Sequence, residues 1–223
     1  MKLKERLSAD RKIYASLSKE DRKLFIWDYY KIHILAVAST VLLLIALTTW
    51  AEKKDIAMYA VFVNSDAGVV QTQPERLDTL LAAGGVDMEG KTIDITADLT
   101  LGTDYNNDTD GQTIQILAAM FGISGLDVFA AEQETFDRYA VQDAFADLSL
   151  FLEPVLYEKS GCMPYWYTGS DGREILGGIV LKPGSLLHET GYYHTDTIIG
   201  VAANAQNLEE AVAFVKALLA AAD

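Results

Sequence analysis

The sequence predicts an α/β domain, a mainly parallel sheet flanked by helices, set behind one N-terminal transmembrane helix. Three observations predict it: an uncharged apolar stretch over residues 32–51, apolar runs alternating with amphipathic stretches from residue 55 onward, and a sharp change in charge sign between the two regions. Residues 1–31 hold nine Lys/Arg against five Asp/Glu, whereas residues 32–223 hold nine against 27, a net −18. Such an acidic region repels nucleic-acid phosphates, so a nucleic-acid partner is not expected. Three segments follow: a basic cytosolic segment (1–31), the transmembrane helix (32–51) and an extracytoplasmic α/β domain (52–223).

Residues 32–51 carry no Asp, Glu, Lys or Arg. Twenty helical residues at about 1.5 Å each span about 30 Å, the thickness of a bilayer's hydrocarbon core. Trp27, Tyr29, Tyr30 and Lys31 precede the stretch and Trp50 closes it, as interfacial aromatics and a snorkelling lysine should. The basic flank on the amino side places the N-terminus in the cytosol. A cleaved signal is the alternative, because Thr49-Trp50-Ala51 imitates a small-x-small site; the long preceding region and long apolar core speak against it. Upstream, Ser18-Lys19-Glu20-Asp21 reads as a helix start with Ser18 as the cap.

In the outer domain, IAMYAVFV (56–63) reads as the first strand and PERLDTLLAA (74–83) as a helix stopped by Gly84-Gly85. TIDITADL (92–99) alternates as a second strand. Residues 113–121 form a helix capped near Asp110, and LDVFA (126–130) is a short buried third strand. Residues 134–141 are helical, GGIVL (177–181) and TIIGVA (197–202) are strands, and residues 208–222 form a closing amphipathic helix. Ligands of an open parallel sheet bind beyond the carboxyl ends of its strands. Candidate ligand-binding residues are therefore Asn64, Ser65, Asp66, Asp104, Tyr105, Asp108, Asp110 and Glu132, on three loops expected to converge on one acidic rim.

Asn106-x-Asp108-x-Asp110-Gly111 copies the first half of a calcium loop, but position twelve is Leu117 where an EF-hand has Glu. The reading adopted is a helix cap, with no metal and no cofactor. Cys162 is the sole cysteine, so an internal disulfide is excluded, and a small buried hydrophobe is the expected role. A Cys162, His194, Asp196 set can be drawn, but nothing in its spacing supports catalysis. Tyr165, Trp166, Tyr167, Tyr192 and Tyr193 form two aromatic groups, read as a stacking surface, as a closed core end or as dimer packing.

Asp127-Val128-Phe129-Ala130-Ala131 with Asp147-Leu148, the run from Asp171 to Leu181, and Ile198-Ile199-Gly200-Val201 with Asn204, Asn207, Glu210, Ala211 and Phe214 resemble segments of extracellular solute-binding proteins. The last two are similar to that family's crossover strand and its returning strand and helix. The resemblance implies one lobe of a type 2 periplasmic-binding-protein fold. A second lobe is missing, because only residues 182–196 separate crossover from return. The expectation is a membrane-anchored, non-catalytic binding or scaffold module. Its expected partners are the lipid bilayer through one helix, and a protein or small solute outside. The alternatives are a transmembrane sensor or regulatory subunit of a larger assembly, and a hydrolase using Cys162 or the acidic rim.

Overall fold

The computed structural model describes residues 54–68, 70, 72–102 and 108–221, together with residues 15, 18, 21, 27, 31–32 and 35–45. Two compact units result, Met1–Lys53 and Lys54–Asp223. In the first, Ser18 Oγ accepts the Asp21 N–H at 3.3 Å, the expected cap geometry, and residues 35–45 are helical. Among the described residues no helix is long and apolar enough to cross a membrane. Much of the predicted span, residues 33–34 and 46–51, lies outside the described residues, as do Tyr29, Tyr30 and Trp50.

In the second unit, β1 (Asp55–Phe62) leads to α1 (Pro74–Ala83), β2 (Lys91–Thr96), α2 (Asp108–Gly122), β3 (Val128–Ala131) and α3 (Gln133–Ala140). Then come α4 (Pro154–Lys159), β4 (Met163–Thr168), β5 (Glu174–Leu181), α5 (Leu186–Glu189), β6 (Thr197–Val201) and α6 (Leu208–Ala220). The strands form one sheet in the order β2-β1-β3-β6-β5-β4.

The sheet is mixed, which corrects the expectation of a mainly parallel one. β1 is parallel to β2 and β3, but β3–β6, β6–β5 and β5–β4 are antiparallel. Thus β1, β2, β3 and β5 share one direction, while β6 and β4 are reversed. The connections differ in kind: β4 and β5 join through a tight turn, as antiparallel neighbours can, and the link from β5 to β6, residues 182–196, does not serve as the helical crossover that parallel neighbours need. MPYWYT of β4, read as an aromatic group, is in fact the edge strand.

Side chains alternate between two cores. Met58, Ala60 and Phe62 of β1 and Val128 and Ala130 of β3 face α1, α4 and α6 through Leu77, Tyr157 and Phe214. Val61, Val63, Phe129 and Ala131 face the other way, toward Leu117 of α2 and Phe136 and Tyr139 of α3. All six strands and both cores therefore lie within Lys54–Asp223.

Two devices lock the sheet centre. Asp127 is fully buried, and its carboxylate accepts from Tyr59 N (2.8 Å), Asn207 N (2.9 Å) and Asn207 Nδ2 (2.9 Å), tying β1, β3 and the start of α6 together. Such a carboxylate is tolerated in the interior because donors replace its lost water. At β5 and β6 the Phe136 ring lies against glycines. A Cβ on Gly200 would sit 2.5 Å from Gly177 O and 2.8 Å from the ring, and one on Gly178 2.8 Å from Ile199 O and 2.9 Å from the ring. Here glycine is required by close approach.

Candidate functional site

The carboxyl ends of β1, β2 and β3 do meet, and their side chains first serve the fold. Asn64 ends β1 with φ of 55°, a left-handed conformation that asparagine tolerates. Its amide grips the chain after β2, donating to Leu101 O (2.9 Å) and accepting from Leu101 N (2.7 Å). Ser65 Oγ donates to Ala97 O at 2.6 Å. Asp110 was expected as a cap, but α2 begins at Asp108, so Asp110 lies inside the first turn. Asp110 is 3% exposed, and its carboxylate accepts the Gly102 N–H at 2.9 Å, holding the loop after β2.

A cleft of about 490 Å³ remains beside these clamps, lined by Asn64, Thr100, Leu101, Gly102, Thr109, Asp110 and Glu132. Asn64, Asp110 and Glu132 are therefore brought together as the sequence predicts. Ser65 and Asp66 lie outside this lining. Asp104 and Tyr105 fall outside the described residues, as does the Asp108 side chain. Among the described residues no group of three or more His, Cys, Asp or Glu is arranged to hold a metal ion.

The space directly above β1 and β3 is filled by the chain itself. Residues 182–196, the link between β5 and β6, fold back as a strap. Tyr193 is 1% exposed, and its hydroxyl stands 2.8 Å from both Val63 O and Ala130 O at the ends of the two strands. Burial pushes that hydroxyl's pKa well above the usual tyrosine value, with the charges of Glu132 and Asp66 adding to it. The neighbouring Tyr192 ring meets Phe62 edge-on at 4.9 Å, and Asp66 N donates to Tyr192 O at 2.8 Å.

Side chains pin the strap along its length. His194 Nδ1 lies 2.6 Å from Asp66 Oδ2, Lys182 pairs with Asp196 at 2.5 Å, and Arg76 of α1 reaches Glu189 at 2.8 Å. His188 bridges Ser185 Oγ and Thr195 O, each at 2.6 Å. These pairs are partly exposed, so each contributes little alone; the strap's seat depends on its buried tyrosines. Of the candidate rim residues, Asp66 is thus engaged by the strap. The Cys162, His194, Asp196 set is not assembled: His194 pairs with Asp66, Asp196 with Lys182, and Cys162 is buried in the core with Ser160 O at 3.8 Å.

Sequence reasoning missed a second and larger concavity. A cleft of about 660 Å³ opens between α2 and α3, with Leu101, Ile114 and Phe121 on one side and Arg138, Tyr139 and Val141 on the other. The one advance signal was apolar Ile114, Val141 and neighbouring Ile123 beside polar residues; Val141 and Ile123 are each 74% exposed.

No protein-family model matches the chain, and neither the curated proteins nor the solved structures yield a match.

Proposed function

We propose that this chain is a membrane-anchored extracytoplasmic binding or scaffold module that works without catalysis. The observation that carries the reading is the strap. Tyr193 occupies the crest above β1 and β3, where an open α/β sheet offers its ligand crevice, so the usual position for a small solute is filled from within. What remains is an acidic α/β surface suited to meeting a protein.

The anchor rests on residues 32–51. Where that stretch is described, Leu35, Val37, Val41, Leu42 and Ile45 are all more than 48% exposed around the helix, and a helix apolar on all sides belongs in a core or a bilayer. The likeness to a single solute-binding-protein lobe is supported by the matched residues acting together. Asp127 of the third strand holds Asn207 of the return motif, and the segments likened to the crossover and return strands are neighbours, β5 and β6.

Topology tests the proposal. Gln115 is exposed on α2, so Gln115→Cys in a Cys162→Ala background gives a single reachable thiol. A membrane-impermeant maleimide is expected to label it on intact cells, with the full-length chain staying in the membrane fraction after alkaline extraction. Labelling only after permeabilisation would overturn the orientation, and a shortened, extractable chain would show a cleaved signal instead.

A further inference from the structure

We propose that the outer face of α2, with the cleft beside it, is a contact surface for a second copy of this chain. The inference concerns Lys54–Asp223, which holds both cores, and stands whichever side of a membrane that unit occupies.

From Gly111 to Leu126 the chain carries sixteen residues without an Asp, Glu, Lys, Arg or His, the longest such run after residue 51. A surface helix ordinarily turns a charged or polar side to water. Of the described side chains of α2, only Asp110, Thr113 and Leu117 are buried. Ile114 is 39% exposed, Ile116 45%, and Ile123 just past the helix 74%; Ala118, Ala119 and Gly122 are exposed as well. Apolar area left in water is unfavourable by about 25 cal/mol per Å², and a contiguous patch of it marks a contact surface.

Charge selects the occupant. Residues 52–223 hold 27 Asp/Glu against nine Lys/Arg, so two copies repel one another over most of their surface and meet most easily where each presents little net charge. The charged residues described in the cleft lining are Arg138 and Asp143, opposite in sign and each engaged within its own chain. Arg138 pairs with Glu134 at 3.8 Å, and the Asp143 carboxylate accepts the Ser170 N–H at 3.2 Å. A bilayer suits this helix less: it brings no Lys or Arg to lie among headgroups, and anionic ones repel the domain.

Shape agrees with charge. The same face offers a hollow, the cleft of about 660 Å³, and projections, Val141 in its lining and Ile123 next to Gly122, each 74% exposed. A two-fold pair requires such self-complementarity. A Cβ on Gly111 or Gly122 would meet nothing within 4 Å, and Ala118 and Ala119 lie between them in the helix, so a neighbouring helix can approach closely. The 15 residues of α2 make about 22 Å of helix about 10 Å wide, a footprint of about 220 Å² beside the ~800 Å² per partner of a standard interface. The pair is therefore weak, with a dissociation constant of about 10–100 µM, and at association rates of about 10⁵–10⁷ M⁻¹s⁻¹ it separates within about a second. A thiol at position 115 on this helix thus still meets a maleimide.

Sedimentation equilibrium of residues 54–223, and of the full-length chain in neutral detergent micelles, reads the state of the chain. A monomer–dimer equilibrium is expected. It should tighten about threefold between about 50 and 500 mM NaCl, because salt screens the repulsion of two acidic copies and the contact joins no ion pair across them. Ala119→Arg, at an exposed position of α2, should weaken it at least about tenfold with the monomer's melting temperature unchanged. Ile123→Gln is the milder second variant and should weaken it about threefold. Ala82→Arg places the same charge at an exposed position of α1, across the sheet, and should not weaken it. A monomer at every concentration up to about 1 mM would overturn the proposal and leave the face to a different protein. Association that weakens with salt, survives Ala119→Arg or falls equally with Ala82→Arg would put the contact elsewhere and overturn the site.

Discussion

Replacing Tyr193 tests whether the strap is sealed on the crest. Tyr193→Phe keeps the ring and removes one hydroxyl that stands 2.8 Å from two carbonyls, Val63 O and Ala130 O, both on fully buried residues. Ala130 O keeps the Val63 N–H at 2.9 Å, so the loss falls chiefly on Val63 O. Stripping a donor from a buried acceptor costs about 1–3 kcal/mol, and with one carbonyl still served the expected loss is about 1–2 kcal/mol. Tyr193→Ala also deletes a fully packed ring and should cost about 3–5 kcal/mol. For a domain of this size these correspond to about 2–8 °C and at least about 6 °C in melting temperature.

The assay is urea unfolding of residues 54–223 followed by circular dichroism. The midpoint should fall and the slope stay constant, because a change in slope would mean a change in compactness rather than in stability. Chymotrypsin supplies a local readout: Tyr193→Ala should expose residues 186–192 to cleavage under native conditions, while Tyr193→Phe should not. A loss under about 0.5 kcal/mol for Tyr193→Phe, the size of an ordinary surface substitution, would refute the claim that this hydroxyl serves the crest. A protected strap in Tyr193→Ala would refute the claim that Tyr193 holds it.

Two further outcomes are expected. Gly200→Ala should cost about 1–3 kcal/mol by overpacking, and Phe136→Leu in the same chain should recover part of it, because the ring yields while Gly177 O, 2.5 Å from the new Cβ, does not; full additivity in urea melts would disprove the contact. Burial, helped by the charge of Asp143, pushes the Tyr167 hydroxyl's pKa up to about 12. Between about pH 10 and 12 the unfolded chain therefore loses a proton that the folded chain keeps, so stability falls with rising pH across that window and is unaffected by this group below it. Tyr167→Phe should flatten that part of the stability profile, and an unchanged slope would rule the group out.

What the sequence made legible was local. The span of α1 was predicted as PERLDTLLAA and observed at the same residues, with Gly85 past its end at a positive φ of 93°. β1 and α3 came within one residue at each end, and α6 started as predicted. In each case the pattern of apolar residues, or a breaker such as Pro74 or Gly84-Gly85, sits in the element itself. The candidate rim was half legible: β-strand ends converge in any such sheet, so Asn64, Asp110 and Glu132 were found together. Their bonding was not legible, since the Asn64 amide and the Asp110 carboxylate are consumed by chain far away or across a loop.

The sequence by itself thus determined which residues are apolar, where helices begin and stop, and how charge divides between the two parts of the chain. Only the tertiary structure decided the direction of β6, the edge position of β4, the strap's seat and the cleft between α2 and α3. The physical reason is range. Hydrophobic periodicity records that a side chain is buried but not against what, and the bond from Tyr193 to Val63 O joins residues 130 positions apart. No local pattern around Tyr192-Tyr193 separates a stacking surface from a plug; the separation is made by the two carbonyls waiting at the ends of β1 and β3.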